Sequence, residues 1–463
     1  MKRTLTALFL LASFALCAQA QEAKKDIVKT GWNIGPLPAI AFDADKGFQL
    51  GAIIQLFDYG DGHNYPNYDN KVYAEVSYFT KGSWLIQTMY DAKELIPNVR
   101  WTTACIVALD KGMDFFGFNG YQSYYDYASV AAGKDKASDA FIFTPFYKMK
   151  RNSVLFKTDF VGDITDNFKW EAGYHASYFD QGAIDYDNIN KGKDEKKMFP
   201  KFGDPAYVGT MYENFVNWGL ISPEEATGGF VSAIRAGLSY DSRNKEGAPS
   251  KGIWAEGHVT LAPKWLGTKN PFARYSLTFR HYVPIVKNDV LTFAYRLNYE
   301  GTFGNDAPYY VLPFMTVQGE NWDRDGMGGY RTTRGIMRNR SVGLDMFTYN
   351  AEFRWRFVKF HLGKQNIALA LSAFSDGTTV TRGRDMSFKG NPIYKLDYEE
   401  FMKKCQTSDR LHATVGAGFR FIMNENFIVA AEYGTPISHL SKKSPVYNQD
   451  GTGAFYLNVG YLF

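Results

Sequence analysis

Long stretches of this chain alternate apolar and polar residues with a period of two. In residues 347–357, FTYNAEFRWRF, every second residue is apolar or aromatic, and residues 253–261, 290–299 and 411–421 follow the same pattern. A period of two places successive side chains on opposite faces of a β-strand. After the first 20 residues no run of about 18 apolar residues occurs, so no later segment is suited to cross a membrane as a helix. The sequence therefore predicts a protein built from long strands that each have one apolar face.

Aromatic residues supply much of that apolar face. The chain contains 37 Phe and 31 Tyr, yet its mean hydropathy is only −0.31. Soluble cores rarely need so many aromatic side chains, and helical membrane proteins are far more hydrophobic. This combination is typical of strands that turn alternate side chains toward lipid. The formal net charge of +4 is small for 463 residues, and it gives no indication of nucleic-acid binding.

The N-terminus has the three parts of a secretory signal peptide. Residues 2–3 are Lys-Arg, residues 4–15 are mostly apolar, and residues 18–20 read Ala-Gln-Ala, which fits an A-x-A cleavage site. We therefore expect residues 1–20 to be a signal peptide that is removed on export. Residues 21–35 then form a short periplasmic segment, and the strands fill residues 36–463.

About sixteen strands can be placed, and the links between them have two lengths. The strands begin near residues 36, 47, 70, 82, 98, 145, 166, 229, 252, 272, 288, 344, 365, 409, 426 and 452. Tight turns alternate with long links such as 181–228 and 306–343, although residues 59–69 form a long link on the short side. An even strand number with short turns at one end is typical of outer-membrane barrels. The sequence predicts an all-β, transmembrane antiparallel β-barrel of about 16 strands, with long extracellular loops and outer-membrane lipid around it.

Three motifs in the same order resemble those of one family. Residues 237–256, GLSYDSRNKEGAPSKGIWAE, are similar to a strand–turn–strand of the form G-x-x-x-D-x-R, loop, P-x-x-G. Residues 115–120, FFGFNG, and residues 334–336, RGI, resemble two further elements, and the RGI loop follows the eleventh predicted strand. These motifs resemble the outer-membrane assembly superfamily that includes BamA, TamA and the two-partner-secretion transporters, also known as bacterial surface antigens.

The resemblance assigns a position to the RGI loop. In the family this loop folds into the barrel lumen, and its arginine meets acids on the inner wall of the next strands. Here the loop motif is Arg334, Gly335 and Ile336, and alternation places Glu352 and Asp376 on inward faces as its acidic partners. Ile336 replaces the usual aromatic residue, so a stacking role at that position is not expected. Arg338 and Arg340 lie outside the motif and are expected to matter less, and a solvated basic surface loop is the alternative.

The last residues, FYLNVGYLF, continue the alternation to the C-terminus. Leu457, Val459, Tyr461 and Phe463 are predicted to share one face of a final strand. A terminal aromatic residue resembles the C-terminal signal by which outer-membrane barrels are recognised for insertion, and we assign that signal to Tyr461 and Phe463. The alternative is that Phe463 only ends an ordinary strand.

The resemblance implies outer-membrane protein assembly or translocation. Only about fifteen residues separate the predicted cleavage site from the first strand, too few for the periplasmic POTRA domains that receive clients in BamA and TamA. We therefore expect separate periplasmic partners, such as other assembly-machinery proteins, together with unfolded outer-membrane clients. A passive pore or small-solute transporter is the alternative, because fold alone does not fix function. The seven histidines lie in no recognisable catalytic setting, so we expect neither an enzyme nor a bound metal or cofactor.

Overall fold

A computed structural model describes residues 27–43, 47–80, 82–132, 144–192, 198–317, 324–325, 327–390 and 396–463. The predicted signal peptide, residues 1–20, lies outside the described residues.

Sixteen antiparallel strands form one sheet in which each strand pairs with its neighbours in sequence. The strands are β1 Trp32–Asp43, β2 Gly47–Asp58, β3 Asn70–Phe79, β4 Trp84–Ile96, β5 Val99–Asp114, β6 Lys148–Asp163, β7 Phe168–Gly182, β8 Gly228–Asp241, β9 Gly252–Ala262, β10 Phe272–Val286, β11 Leu291–Phe303, β12 Asp345–Leu362, β13 Gln365–Arg382, β14 His412–Met423, β15 Phe427–Pro436 and β16 Ala454–Val459. A separate two-stranded ribbon joins Phe314–Met315 to Arg324–Asp325. The predicted strand number and all-β barrel class are confirmed.

The sheet has a polar inner face and an apolar outer face. On β12 the side chains of Thr348, Asn350 and Glu352 are fully buried, whereas Phe353 is half exposed. A soluble protein would place these faces the other way round, because it buries its apolar residues. The outer face therefore suits lipid, and the charged inner face lines a lumen. Among the described residues, no helix has both the length and the apolar composition needed to span a membrane.

The first and last strands meet at a seam that differs from every other strand boundary. Consecutive strands from β1 to β16 are joined by backbone hydrogen bonds. Cα atoms of β1 and β16 come within 8 Å of one another. However, no hydrogen-bonded ladder joins these two strands among the residues described. β16 has only six residues, and β1 has twelve. The strand boundary with the fewest backbone hydrogen bonds is therefore the seam.

Links at the two ends of the barrel differ in length, as predicted. Five periplasmic turns contain two to four residues, and the two longer ones are residues 59–69 and 242–251. The extracellular loops carry five short helices: α1 Tyr127–Ala132, α2 Tyr186–Asn190, α3 Met211–Asn217, α4 Pro223–Ala226 and α5 Tyr398–Lys404. Short 3-10 turns lie at Gly120–Gln122, Thr144–Tyr147, Lys264–Leu266 and Ile437–Leu440.

Extracellular loops pack together over the barrel into a structure that we call the dome. Its centre is an aromatic core in which the Phe215 ring centroid lies 5.4 Å from that of Phe115 and 6.2 Å from that of Phe401. These three rings come from the loops that follow β5, β7 and β13. The helix α3 in this core begins at Thr210, whose side chain and that of Glu213 form a reciprocal capping box. The dome thus closes the extracellular end of the lumen with buried apolar side chains.

Candidate functional site: a charged cluster in the lumen

The loop between β11 and β12 enters the lumen and contacts the inner wall at Gly335. The backbone of Gly335 has a φ of +93°, and a Cβ at this position would lie 2.6 Å from the carbonyl carbon of Gly434 on β15. Only glycine permits both this conformation and this approach. A Cβ on Gly328 would instead lie 2.0 Å from the carbonyl oxygen of Met337, so Gly328 serves a close contact within the loop itself.

Arg334 lies at the tip of this loop and is completely buried among carboxylates. Its Nε donates to Asp376 Oδ2 at 2.8 Å and its Nη2 to Asp376 Oδ1 at 3.0 Å, which is a bidentate pair. Its backbone N–H also donates to Asp376, at 3.0 Å. Arg334 Nη1 donates to Glu352 Oε2 at 2.8 Å. The structure thus brings together the arginine and the two acids that the resemblance paired.

A third acid and two further arginines complete the cluster. Glu432 on β15 accepts from Arg334 Nη1 and from Arg420 Nη2, each at 2.6 Å. Arg354 Nε donates to Glu352 Oε1 at 2.5 Å. We call Arg334, Arg354, Arg420, Glu352, Asp376 and Glu432 the lumen lock. Sequence reasoning missed Glu432, Arg354 and Arg420 as members, although the two-residue alternation of their strands places all three on inward faces.

The lumen lock balances three positive charges against three negative charges, far from bulk water. Burial opposes the charged form of Arg334, but Asp376, Glu432 and Glu352 outweigh that cost and raise its pKa well above the ordinary value. The guanidinium carbon of Arg334 also lies 3.6 Å from the centre of the Phe374 ring. Such stacking favours a planar cation. An aromatic partner for Arg334 is therefore present, and the wall strand β13 supplies it.

The two arginines outside the motif occupy different environments. Arg338 Nη1 contacts Asp110 Oδ2 at 3.2 Å near the top of β5. Arg340 is fully buried, and its guanidinium donates to the carbonyl oxygens of Gln449, Gly120 and Ser123 at 2.6, 2.8 and 3.0 Å. Arg340 therefore fastens three separate loop segments together. The expectation that Arg340 matters less than Arg334 did not include these bonds, because sequence periodicity does not reveal contacts with backbone carbonyls.

The C-terminal tail leaves the sheet instead of continuing it. β16 ends at Val459, and Gly460 turns the chain with a φ of +92°. Phe463 is then buried in the lumen, where its carbonyl oxygen accepts from Arg354 Nη2 at 2.8 Å. The prediction that Tyr461 and Phe463 share one strand face with Leu457 is wrong, since alternation ends at a glycine with left-handed backbone. Their assignment as an insertion signal stays a prediction.

Arginines form the seat of this tail. Arg354 lies 4.1 Å from the Tyr461 ring centre and 4.9 Å from that of Phe463. Arg296 on β11 lies 5.3 Å from the Phe463 ring and donates to Leu462 O at 3.3 Å. Arg420 also lies 4.7 Å from the Tyr461 ring centre, so two arginines of the lumen lock, Arg354 and Arg420, contact the tail.

One further polar group on the inner wall has the residue types of a metal site. Ligand atoms of Glu171, Glu256 and His258 lie within 4.8 Å of one another, and all three residues are buried. However, His258 Nε2 is bonded to Glu171 and Arg280 is bonded to Glu256. A neighbouring arginine disfavours a second cation, so this group is an ion-pair network that supports β7, β9 and β10.

Comparisons with solved structures find matches at low sequence identity. BamA from Haemophilus ducreyi lacking POTRA domains 1–3 is 14% identical with a TM-score of 0.48, and the match covers 93% of this chain and 70% of that one. CdiB from Escherichia coli is 10% identical with a TM-score of 0.49, covering 92% and 62%. A bacterial polysaccharide outer membrane secretin is 10% identical with a TM-score of 0.34, covering 92% and 94%.

The comparison with curated protein sequences finds no match. Among protein families, the Omp85 superfamily domain matches residues 138–463. That range begins just before β6 and includes β12, β13, β15 and the loop that carries Arg334. It amounts to 326 of the 463 residues, and the protein therefore belongs to the Omp85 superfamily.

Proposed function

We propose that this barrel inserts or translocates client proteins by opening its seam, and that separate periplasmic proteins deliver those clients. The superfamily places the protein in the outer membrane and, in general terms, in outer-membrane protein assembly or translocation. The proposal adds the site of action and the kind of partner. No catalytic step is part of it, because threading a strand into a barrel exchanges hydrogen bonds and leaves covalent bonds unchanged.

The observation that carries the proposal is the position of the lumen lock. It lies beside the seam, where no hydrogen-bonded ladder joins β1 to β16 among the described residues. The lock is anchored on β12 through Glu352 and on β13 through Asp376. It also reaches the strands at the seam, because Gly335 N–H donates to Tyr456 Oη on β16 at 3.1 Å. Asn458 of β16 further donates to Glu432 at 3.1 Å. The last strands are therefore held from inside, and opening the seam exposes the free edge of β1 without breaking the lock.

An exposed strand edge is a template for another strand. Unpaired N–H and C=O groups in lipid are costly, so an open seam favours pairing with an incoming strand. The six-residue β16 is only half as long as the twelve-residue β1, so it cannot pair with β1 along its full length. Client strands of unfolded outer-membrane proteins supply the missing hydrogen bonds. This chemistry fits the family's general role better than a passive solute path does.

Site-specific photo-crosslinking in living cells tests the proposal. A photoreactive amino acid at Ile34 on β1 and another at Phe455 on β16 would face lipid beside the seam, where the native side chains are 65% and 46% exposed. Leu277 on β10 is 57% exposed and lies far round the sheet, so it is the matched control. We expect adducts with outer-membrane proteins during their synthesis at the seam positions only. Adducts no stronger than at Leu277 would contradict client insertion.

The same purified protein in planar bilayers tests the alternative of a passive pore. The dome covers the extracellular end of the lumen, and the lock and the tail fill part of its interior. We therefore expect little steady current. A large, stable conductance without client or partner would favour the pore instead.

A further inference from the structure

Residues 59–69 form an unusually long periplasmic link, and the position of that link next to the seam gives it a use. It joins β2 to β3 with eleven residues, whereas five of the other periplasmic turns need two to four. An antiparallel hairpin can be closed by two residues. The extra length is therefore not needed to connect the strands, and it brings the link to residues far away in the sequence.

The link bonds to strands on the other side of the seam. Asn426, in the turn between β14 and β15, donates from Nδ2 to Pro66 O at 2.6 Å and to Tyr59 Oη at 3.1 Å. Asn366 on β13 donates from Nδ2 to Tyr65 Oη at 2.9 Å. In the sheet order, β2 and β3 lie on the β1 side of the seam, and β13 to β15 lie on the β16 side. These bonds therefore cross the seam at its periplasmic end.

The segment before β1 makes a second crossing and is bonded to the link. Ile27 N donates to Asn366 Oδ1 at 2.8 Å, and Asn366 Nδ2 donates to Ile27 O at 2.9 Å. Gly31 N donates to Gly60 O at 2.8 Å, and Tyr59 N donates to Gly31 O at 3.0 Å. The N-terminal segment and the link therefore behave as one unit, which we call the clasp (residues 27–31 and 59–69).

The other long periplasmic turn, residues 242–251, supports the clasp from the opposite wall. Its Glu246 binds Lys93 and Arg100 at 2.9 and 3.3 Å, and the Glu246 backbone N–H donates to Asn67 of the clasp at 3.4 Å. Ala248 O accepts from Arg356 Nη2 at 3.3 Å. This turn therefore spans the periplasmic mouth and meets the clasp beneath the lumen.

We propose that the clasp holds the seam shut at its periplasmic end and has to be released before the seam opens. Five bonds across this end of the seam run through the side chain of Asn366 or Asn426, and Lys29 of the clasp adds one more by donating to Lys364 O. These bonds take the place of the missing ladder between β1 and β16. The role of the clasp in client entry rests on the proposed function, but the mechanical claim about the seam does not.

Hydrogen–deuterium exchange of the purified barrel in detergent tests the claim without any client. The test variant is Asn366→Asp combined with Asn426→Asp. Both substitutions keep the side-chain shape and remove the amide donors to Ile27, Tyr65, Pro66 and Tyr59. Asn167→Asp is the control, because it makes the same kind of substitution and adds one negative charge in the exposed periplasmic turn between β6 and β7. Loss of several bonds worth about 1 kcal/mol each predicts exchange at least about ten-fold faster in the clasp, β1 and β16.

The pattern of exchange decides the outcome. Faster exchange in the clasp and at both seam strands, with β10 and β11 unchanged, is the expected result. Faster exchange in the clasp with unchanged exchange in β1 and β16 would overturn the proposal. Unchanged exchange in the clasp would also overturn it. Acceleration throughout the sheet would also overturn it, because the asparagines would then support the barrel in general. Photo-crosslinking is a second measurement. The photo-crosslinker at Ile34 should capture more client in the double variant than in the control. Client capture no higher than in the control would likewise overturn the proposal.

Discussion

Arg334 is the residue on which the lumen lock depends, and its removal should be costly. The Arg334→Ala variant leaves Asp376, Glu352 and Glu432 facing two arginines in a buried site. Breaking a buried ion pair typically costs about 3–5 kcal/mol, and we expect a loss of that size in the free energy of unfolding. Arg334→Lys should recover little, because an ammonium group cannot bridge two carboxylates. Thermal unfolding in detergent measures both effects.

Arg338 provides the control for that prediction. Its guanidinium pairs with Asp110 at 3.2 Å, outside the lumen lock. We expect Arg338→Ala to cost less than Arg334→Ala, because Arg338 pairs with Asp110 outside the lock, whereas Arg334 pairs with three buried carboxylates at once. Similar losses for Arg334→Ala and Arg338→Ala would show that the loop contributes only general positive charge.

Arg340 should affect the dome and leave the lock intact. Its three hydrogen bonds to Gln449, Gly120 and Ser123 join loops that carry few backbone bonds to one another. When intact cells that carry the Arg340→Ala variant are treated with a protease, we expect cleavage within residues 115–130 and 437–453. Arg334→Ala should leave these loops protected at temperatures below its unfolding transition. The reverse pattern would contradict the division of the two arginines between dome and lock.

A second charged group in the dome makes it sensitive to acid. Both ring nitrogens of His412 face carboxylates, with Nδ1 2.6 Å from Asp450 and Nε2 2.9 Å from Asp409. Burial favours the neutral acids, yet the His412 charge and its hydrogen bonds hold the pKa of both carboxyls below the ordinary value. Carboxyls with a lowered pKa stabilise the fold above their unfolded pKa of about 3.9, and that stabilisation is lost as the pH falls through the folded values.

We therefore expect the dome to remain closed at pH 5 and to loosen below about pH 4. Limited pepsin digestion between pH 5 and pH 2 measures this, with far-ultraviolet circular dichroism as a check that the sheet persists. Replacing His412 by Asn should leave two buried acids without a cation and loosen the dome at every pH. Protection that is independent of pH would rule out a role for these carboxyls in closing the dome.

At the scale of elements, the C-terminal tail has two separable contributions. Deleting Phe463 should lower the amount of barrel in the outer membrane while export continues, if the terminal aromatic residue is read during insertion. Arg354→Ala removes part of the tail's seat and keeps the C-terminus. It should lower the unfolding temperature and leave the inserted amount unchanged. Membrane fractionation and thermal unfolding distinguish the two contributions of the tail. Equal inserted amounts for both variants would mean that Phe463 contributes only to the stability of the folded barrel.

Strand elements were predictable from sequence, and contacts between elements largely were not. Alternation places Glu352 and Asp376 inward, because every second side chain of a strand lies on the same face. The family motif identifies Arg334. The same reasoning reaches Glu432 and Arg420 once their strands are registered. This reasoning fails at Gly460, where the sequence continues to alternate but the backbone turns out of the strand. The pairs formed by Asn366 and Asn426 join residues more than 300 positions apart, and no local pattern encodes such contacts.

At the scale of the whole molecule, both ends of the barrel are covered. The dome closes the extracellular end, and the clasp with residues 242–251 spans the periplasmic mouth. Replacing residues 244–250 by a short Gly-Ser turn should therefore raise the conductance of the purified protein in planar bilayers. The same replacement within residues 164–167 should not, because that turn already has only four residues. An unchanged current would mean that the lumen lock alone blocks the passage.

The buried position of Phe463 orders the events of folding in time. Its seat is made by Tyr282 of β10, Arg296 of β11 and Arg354 of β12. These residues lie on three neighbouring strands, whereas the tail follows β16, so Phe463 can reach its seat only after the sheet has curved round. A factor that recognises Tyr461 and Phe463 has access to them only while the barrel is unfinished. If Tyr461 and Phe463 are the insertion signal, docking of the tail buries that signal, and the folded barrel no longer displays it.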